Sequence, residues 1–227
     1  MSINSPALFI EINSKYFVFV GGYYDDNNNL NILEKIIAKC EGVDKNRLTD
    51  LEKIIATIKK NVSIIENKLN CIFKETFIII DNFDDTCISI SGFKKLNESQ
   101  IIKENISYIL NSLKLTISNN EKDKTILHIF NSKSILDGKS VDNLPIGLYG
   151  DFYSHELTFF LIRNTDIKNI DQIFKKVNLH VNKIFIKNYV EGTCLINKHG
   201  IDTFFFLKLN KDNIKLIFFN KSSFRYS

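Results

Sequence analysis

The sequence contains no long apolar run, and this absence argues against a membrane-spanning protein. No apolar stretch approaches the ~20 residues that a membrane-crossing helix requires. The first 12 residues also carry no basic residue ahead of their apolar part, as a signal peptide would. From these two absences we expect a cytoplasmic protein.

Cysteine and histidine are few, and neither is clustered. The chain has four residues of each type, without a CxxC pair and without histidine at ligand spacing. The cysteines are Cys40, Cys71, Cys87 and Cys194. This dispersion predicts reduced, mostly buried thiols, no metal site and no Cys/His nucleophile.

The charge balance lacks the bias of a nucleic-acid-binding protein. Thirty Lys and Arg residues stand against 26 Asp and Glu, which gives a net charge of +4. The basic residues are spread along the chain and do not alternate with aromatic ones, so we expect no nucleic-acid partner. With 227 residues, 44% hydrophobic and 25% charged, the composition is typical of a globular protein with one or two compact units.

The N-terminal part has the pattern of a sheet covered by one helix. Apolar and β-branched residues predict strands at 7–12, 16–20 and 30–37. A helix follows, with Thr49 and Glu52 at capping-box spacing and an apolar stripe to residue 69. The apolar run 77–80 predicts a buried central strand. The order β-β-β-α-β results.

The middle of the chain predicts a strand-helix-strand-strand segment. The strands are expected at 86–91, 126–135 and 157–162, and the helix begins at Asn97 with Gln100 in the capping pattern. A polar loop is expected at 118–124. Phe159 and Phe160 point to opposite faces of the last strand, so they either fill a two-sided core or leave one face for a partner.

The C-terminal part is expected to resume the first pattern and to end in a hairpin. Residues 167–177 predict a helix and residues 181–186 a strand. A hairpin is predicted from 204–209 and 214–219, with the last residues, 224–227, leaving it. Because a lone hairpin is marginally stable in water, we expect that structure downstream of it is missing.

Four stretches of the sequence resemble the bacterial cell-division protein FtsA. Glu11–Lys15 is similar to the first phosphate loop of that family, and Lys208–Asn213 takes the place of the second. Gly42–Lys45 with Asp50–Glu52 resembles the entry to the family's long helix. Asn143–Gly150 is similar to its Asn-Pro-x-Gly-x-x-Gly loop. The four stretches occur in the family's order, and the pilus protein PilM is the second candidate relative.

The resemblance implies an α/β fold: an actin-like (ribonuclease H-like) lobe with an inserted subdomain. Residues 1–82 and 164–203 would form subdomain 1A, and residues 83–163 the inserted, SHS2-like subdomain 1C. Residues 204–227 would be the first hairpin of a truncated second lobe. The chain would then correspond to the N-terminal half of FtsA.

The resemblance also implies a vestigial nucleotide site. Glu11 keeps a carboxylate where the family has an acidic residue near magnesium, Asn13 replaces a glycine, and Ser14 could still form a hydrogen bond. In the second loop, Lys208 replaces the acidic residue and 210–212 replace the glycines that let backbone N–H groups approach phosphate. We therefore expect no enzyme activity and no cofactor, with weak binding of ATP and magnesium as the alternative.

By the same resemblance, the function is a non-catalytic scaffold in cell division. Its partners would be division proteins or FtsA-like protomers bound through subdomain 1C, and it would be recruited to the division site at the inner membrane face. FtsA binds FtsZ through subdomain 2B and the membrane through a C-terminal helix, and neither is expected in this chain. The alternatives are a residual ATP-binding actin-like protein, a PilM-like pilus-assembly protein, and a half-protein completed by a separately encoded second lobe.

Overall fold

The computed structural model of the chain describes residues 6–25, 29–44, 47–81, 83, 85–209 and 214–226. They form two units, 1–84 with 163–190 and 85–162 with 191–227. In chain order the elements are β1 (Ala7–Ile12), β2 (Tyr16–Tyr24), β3 (Leu30–Lys39), β4 (Val43–Asp44), β5 (Arg47–Leu48), α1 (Leu51–Leu69), β6 (Glu75–Ile80), β7 (Asp85–Gln100), α2 (Lys103–Asn120), β8 (Lys124–Leu136), β9 (Lys139–Val141), β10 (Tyr149–Arg163), α3 (Asn164–Val177), β11 (His180–Ile186), α4 (Lys187–His199), β12 (Phe204–Leu209), β13 (Ile214–Asn220) and β14 (Ser223–Tyr226).

The first unit is built on a five-stranded sheet with the order β11-β6-β1-β2-β3. Strands β1, β2 and β3 form an antiparallel meander, whereas β6 runs parallel to both β1 and β11. The strand predicted at 77–80 is confirmed as part of β6, between β1 and β11. The carboxyl ends of β1, β6 and β11 consequently lie at one edge of the sheet.

Helix α1 packs against this sheet through the stripe that the sequence predicts. Ile54, Ile58 and Ile65 recur at helical spacing and are fully buried. Opposite them, a Cβ added to Gly21 of β2 would lie 2.8 Å from Ile65 Cγ2, so the glycine allows the close approach of helix and sheet. Helix α3 contacts both α1 and β11.

The predicted start of α1 is wrong by one residue. The N-cap is Asp50, whose Oδ1 accepts a hydrogen bond from the backbone N–H of Lys53 at 3.1 Å. The predicted cap, Thr49, donates its hydroxyl to the carbonyl of Gly42 instead. Gly42 has φ +88°, and a Cβ there would lie 2.3 Å from the Asp50 carbonyl oxygen, so this turn requires glycine.

The second unit contains a four-stranded sheet with the order β7-β10-β8-β9, and α2 packs against it. The segment 85–163 thus has the strand-helix-strand-strand order with one short additional strand, β9. Its apolar core joins Ile109 and Leu113 of α2 to Leu157 and Phe159 of β10. The correspondence of this segment to subdomain 1C, with the boundaries above, stays a prediction.

The predicted start of α2 is wrong because β7 continues much further than its apolar pattern indicates. Asn97 and Glu98 adopt positive φ within β7, which runs to Gln100. The helix begins at Lys103, and Ile102 is its N-cap. The side chain of Asn105, in the first turn, accepts a hydrogen bond from the backbone N–H of Ile102 at 2.8 Å. A left-handed bend inside a strand uses the same residue type, Asn, that caps helices.

The burial of Phe159 and Phe160 decides whether β10 has a two-sided core or leaves one face for a partner. Phe159 is fully buried in the α2 core, and Phe160 is equally buried on the other face, where its ring is 6.1 Å from that of Phe224. The two-sided core is therefore correct, and neither ring is available to a partner.

The C-terminal residues differ from the expectation in two ways. The predicted hairpin forms as β12 and β13, but β14 pairs with β13 to make a three-stranded sheet, so residues 224–226 do not leave it, and residue 227 lies outside the described residues. Helix α4 was not predicted. Within the second unit, Gly192 of α4 packs so tightly on Phe219 that an added Cβ would lie 2.1 Å from its ring.

A buried histidine in β10 predicts a pH-dependent stability. His155 is 2% exposed, and its burial lowers the pKa because the charged imidazolium loses hydration. The unfolded chain therefore binds this proton at a higher pH than the folded chain. The free energy of unfolding should fall as the pH drops below about 6.5, by at most about 1.4 kcal/mol per pH unit.

Urea unfolding at several pH values between about 8 and about 5 measures this slope. The variant His155→Leu should flatten this pH dependence, because it removes the buried imidazole. An equal slope in the wild type and His155→Leu would contradict the assignment.

Candidate functional site

The parallel strands of the first unit bring three charged side chains together at their carboxyl ends. Glu11 lies in β1, Asp81 directly follows β6, and Lys187 directly follows β11. The Lys187 Nζ donates to Glu11 Oε1 at 2.6 Å and lies 3.5 Å from Asp81 Oδ2. One ammonium group thus bridges two carboxylates from neighbouring strands.

This cluster is largely shielded from water. The exposed fractions of the side chains are 18% for Lys187, 17% for Glu11 and 12% for Asp81. Burial disfavours the charged form of Lys187, but the hydrogen bond that its ammonium donates to Glu11 and the charges of both carboxylates outweigh this effect. The pKa of Lys187 therefore lies above its usual value. The ammonium is therefore held in its charged form.

Asn13 closes the β1–β2 hairpin with its side chain. Its Oδ1 accepts the backbone N–H groups of Lys15 and Tyr16 at 2.8 and 2.9 Å, and its Nδ2 donates to Glu11 Oε1 at 3.0 Å. Asn13 is buried, whereas Ser14 is half-buried at the turn. The carboxylate of Glu11 therefore has two internal donors, from Asn13 and Lys187.

This arrangement bears on phosphate binding. A phosphate loop offers backbone N–H groups to the anion. Here two N–H groups of the turn are bonded to Asn13 Oδ1, and the carboxylate beside them is neutralised by Lys187. The role of Glu11, Asn13 and Ser14 as a vestigial phosphate loop stays a prediction.

The second predicted loop is described only in part. Lys208 Nζ lies 2.6 Å from Glu191 Oε2, in an ion pair within the second unit. Residues 210–213, which carry the glycine replacements, lie outside the described residues. The structure thus places a paired lysine where the family pattern has an acidic residue.

The described residues contain neither a metal-binding cluster nor a membrane-spanning helix. Within the part of the chain that the structure describes, no group of three His, Cys, Asp or Glu side chains could hold a metal ion. Among those same residues, no helix has the length and apolarity needed to cross a membrane.

Asp81 and Lys187 are the members of the cluster that the motif comparison missed. Each directly follows an apolar strand that the sequence predicts, at 77–80 and at 181–186. Because parallel strands place their carboxyl ends at one edge, polar residues at those two positions are candidates for any site beside Glu11. Strand order was the missing information.

Comparison with known proteins agrees with the resemblance seen in the motifs. No protein-family model matches the chain. FtsA of Buchnera aphidicola subsp. Schizaphis graminum is 22% identical over 189 residues, covering 83% of this chain and 45% of that protein. FtsA of Buchnera aphidicola subsp. Baizongia pistaciae is 27% identical over 60% of this chain and 32% of its own length. FtsA of Escherichia coli K12 is 19% identical over 63% of this chain and 34% of its own length.

A solved structure shows the fold. The chain superposes on a component of the PilM-PilN type IV pilus biogenesis complex with a TM-score of 0.63, covering 97% of this chain and 60% of that one. At 8% sequence identity, this likeness concerns the fold alone. The chain spans less than half the length of the FtsA proteins it matches.

The predicted resemblance and the α/β, actin-like fold class are thus confirmed: the chain is similar to FtsA in sequence and has the actin-like fold.

Proposed function

We propose that this chain acts in bacterial cell division as a non-catalytic scaffold that binds other division proteins at the division site. The sequence similarity to FtsA supports the process. The side-chain chemistry of the first hairpin supports the absence of catalysis. The proposal includes no nucleotide cofactor.

The observation that carries the non-catalytic part is the Lys187 bridge. A magnesium nucleotide needs a free carboxylate for the metal and free N–H donors for the phosphates. Glu11 instead holds an ammonium at 2.6 Å, and the turn N–H groups of Lys15 and Tyr16 are bonded to Asn13. Binding Mg-ATP would require these internal hydrogen bonds to break, and the free energy of breaking them would weaken the binding.

Titration of Mg-ATP into the purified chain tests this part. We expect no saturable heat up to about 1 mM ligand, which corresponds to a binding free energy weaker than about 4 kcal/mol. Saturable heat with a micromolar dissociation constant would overturn the proposal in favour of a residual ATP-binding protein.

The inserted segment of the second unit offers a surface for a protein partner. Phe93 of β7 and Phe152 of β10 are 74% and 52% exposed. The strand register places them on one face of the sheet, because Phe93 pairs with Ser154 and residues 152 and 154 share a face. Exposed aromatic side chains are enriched among the residues that dominate protein interfaces.

A binding assay with purified FtsA and other division proteins of the same organism tests the scaffold role. We expect at least one of them to bind, and the variant with Phe93→Ser and Phe152→Ser to bind it about tenfold more weakly or less. Phe205→Ser, at an exposed phenylalanine of β12, serves as the matched control. Unchanged binding by the double variant would reject this surface, and no binding of any division protein would reject the scaffold role.

A further inference from the structure

A cavity of about 460 Å³ lies in the second unit and shares no lining residue with the hairpin site. Its wall combines residues of β8, β9 and the loop after β9 with residues of β14 and with His155 of β10. The volume falls within the range of small-molecule sites. The lining is mainly polar, which favours a polar ligand.

The charged groups of the wall are mostly cationic. Lys133, Lys221 and Arg225 line the cavity with one carboxylate, Asp142, which forms an ion pair with Lys221. Lys133 and Arg225 therefore remain as cations without a carboxylate in the wall itself. An excess of positive charge in a concave site attracts anions.

The guanidinium of Arg225 is largely buried, and its positive charge is only weakly paired. Its side chain is 14% exposed, and Nη1 lies 3.7 Å from Glu156 Oε1, longer than a direct hydrogen bond. Its Nε is buried and has no hydrogen-bond partner among the described residues. Burial accordingly lowers the pKa of Arg225 from its usual value, with partial opposition from Glu156. A buried guanidinium with unused donors is suited to an oxyanion.

Buried polar side chains contribute to the same wall. Ser132 and Ser134 are both largely buried, and their hydroxyls contact Thr158 and Tyr153 at 2.6 and 3.3 Å. His155 is 2% exposed, and within the described part of the chain neither ring nitrogen has a hydrogen-bond partner. Buried polar atoms in native proteins are nearly always paired, so two unpaired nitrogens beside a polar cavity point to a ligand.

We propose that this cavity binds a small molecule carrying a phosphate or carboxylate group, with Arg225 and Lys133 contacting the anion and His155 among the polar groups of the wall. The proposal is independent of the scaffold role, because none of its residues belongs to the hairpin site or to the aromatic surface of Phe93 and Phe152.

Calorimetric titration with inorganic phosphate and, separately, with citrate tests the proposal on the full chain. Saturable binding of at least one probe at millimolar concentration is expected, and the stronger probe identifies the anion. Arg225→Gln should weaken that binding about tenfold or more, because it removes a charge-assisted contact. Lys133→Ala, at an exposed position, should weaken it several-fold without disturbing the fold.

Lys114→Ala, an exposed lysine of α2, is the matched control and should bind as the wild type does. No saturable binding of either probe would overturn the proposal. Equal affinity in the wild type and Lys133→Ala would also overturn it, even if Arg225→Gln failed to fold.

Discussion

Replacing Lys187 by methionine is expected to destabilise the first unit by about 3 kcal/mol. The substitution keeps the length and apolar stem of the side chain but removes the ammonium. Glu11 and Asp81 would then face each other across the strand ends, mostly shielded from water, with no cation between them. Removing one partner of a buried ion pair costs more than the pair contributes, because the remaining charge is left uncompensated.

The pKa of Lys187 defines the pH range in which this contribution operates. Because the folded-state pKa is raised, the stabilisation is fully present below the unfolded-state pKa and is lost only as the pH rises through the folded-state value. The difference between the wild type and Lys187→Met can therefore be measured at neutral pH by urea unfolding.

Two further variants separate charge from packing. Adding Glu11→Gln to Lys187→Met should restore part of the lost free energy of unfolding, because it removes one of the uncompensated carboxylates. Lys168→Met, at an exposed position of α3, should change stability by less than about 0.5 kcal/mol. If Lys187→Met were as stable as the wild type, the cluster would not be the buried bridge described above.

Phe224→Ala is expected to destabilise the second unit by about 3–5 kcal/mol. Phe224 of β14 is fully buried, and its ring lies 5.2 Å from that of Phe130, 6.1 Å from Phe160 and 5.3 Å from Phe219. Truncation would leave a cavity among three aromatic rings, and the surrounding strands could close it only in part.

The matched control for this substitution is Phe205→Ala in β12 of the same sheet. Phe205 is 65% exposed, so its truncation should cost less than about 0.5 kcal/mol. Urea midpoints of the two variants should therefore differ widely. Similar midpoints would show that β14 does not contribute to the core as its burial indicates.

The sequence predicted well those elements whose pattern is local. The apolar stripe of α1 and the short strand 77–80 follow from side-chain periodicity, which depends only on neighbouring residues. The errors arose where one residue type serves two purposes. Asn97 resembles a helix cap but bends β7, and Thr49 resembles a cap while Asp50 takes that role.

Only the contiguous residues of the candidate site were predicted from the sequence. Glu11, Asn13 and Ser14 are contiguous, so a motif comparison can find them. The residues that complete the cluster lie far along the chain: Lys187 is 176 positions from Glu11. The cavity of the second unit was not predicted, because its residues are distributed over β8, β10 and β14.

By itself, the sequence determined most of the long strands, helices α1 and α3, the resemblance to FtsA and the presence of Asn13 at a glycine position of the family's loop. The tertiary structure decided which side chains meet at the candidate site. Parallel pairing of β1, β6 and β11 sets Lys187 between Glu11 and Asp81. The physical reason is that side-chain periodicity is local, whereas the pairing of charges across strand ends depends on strand order.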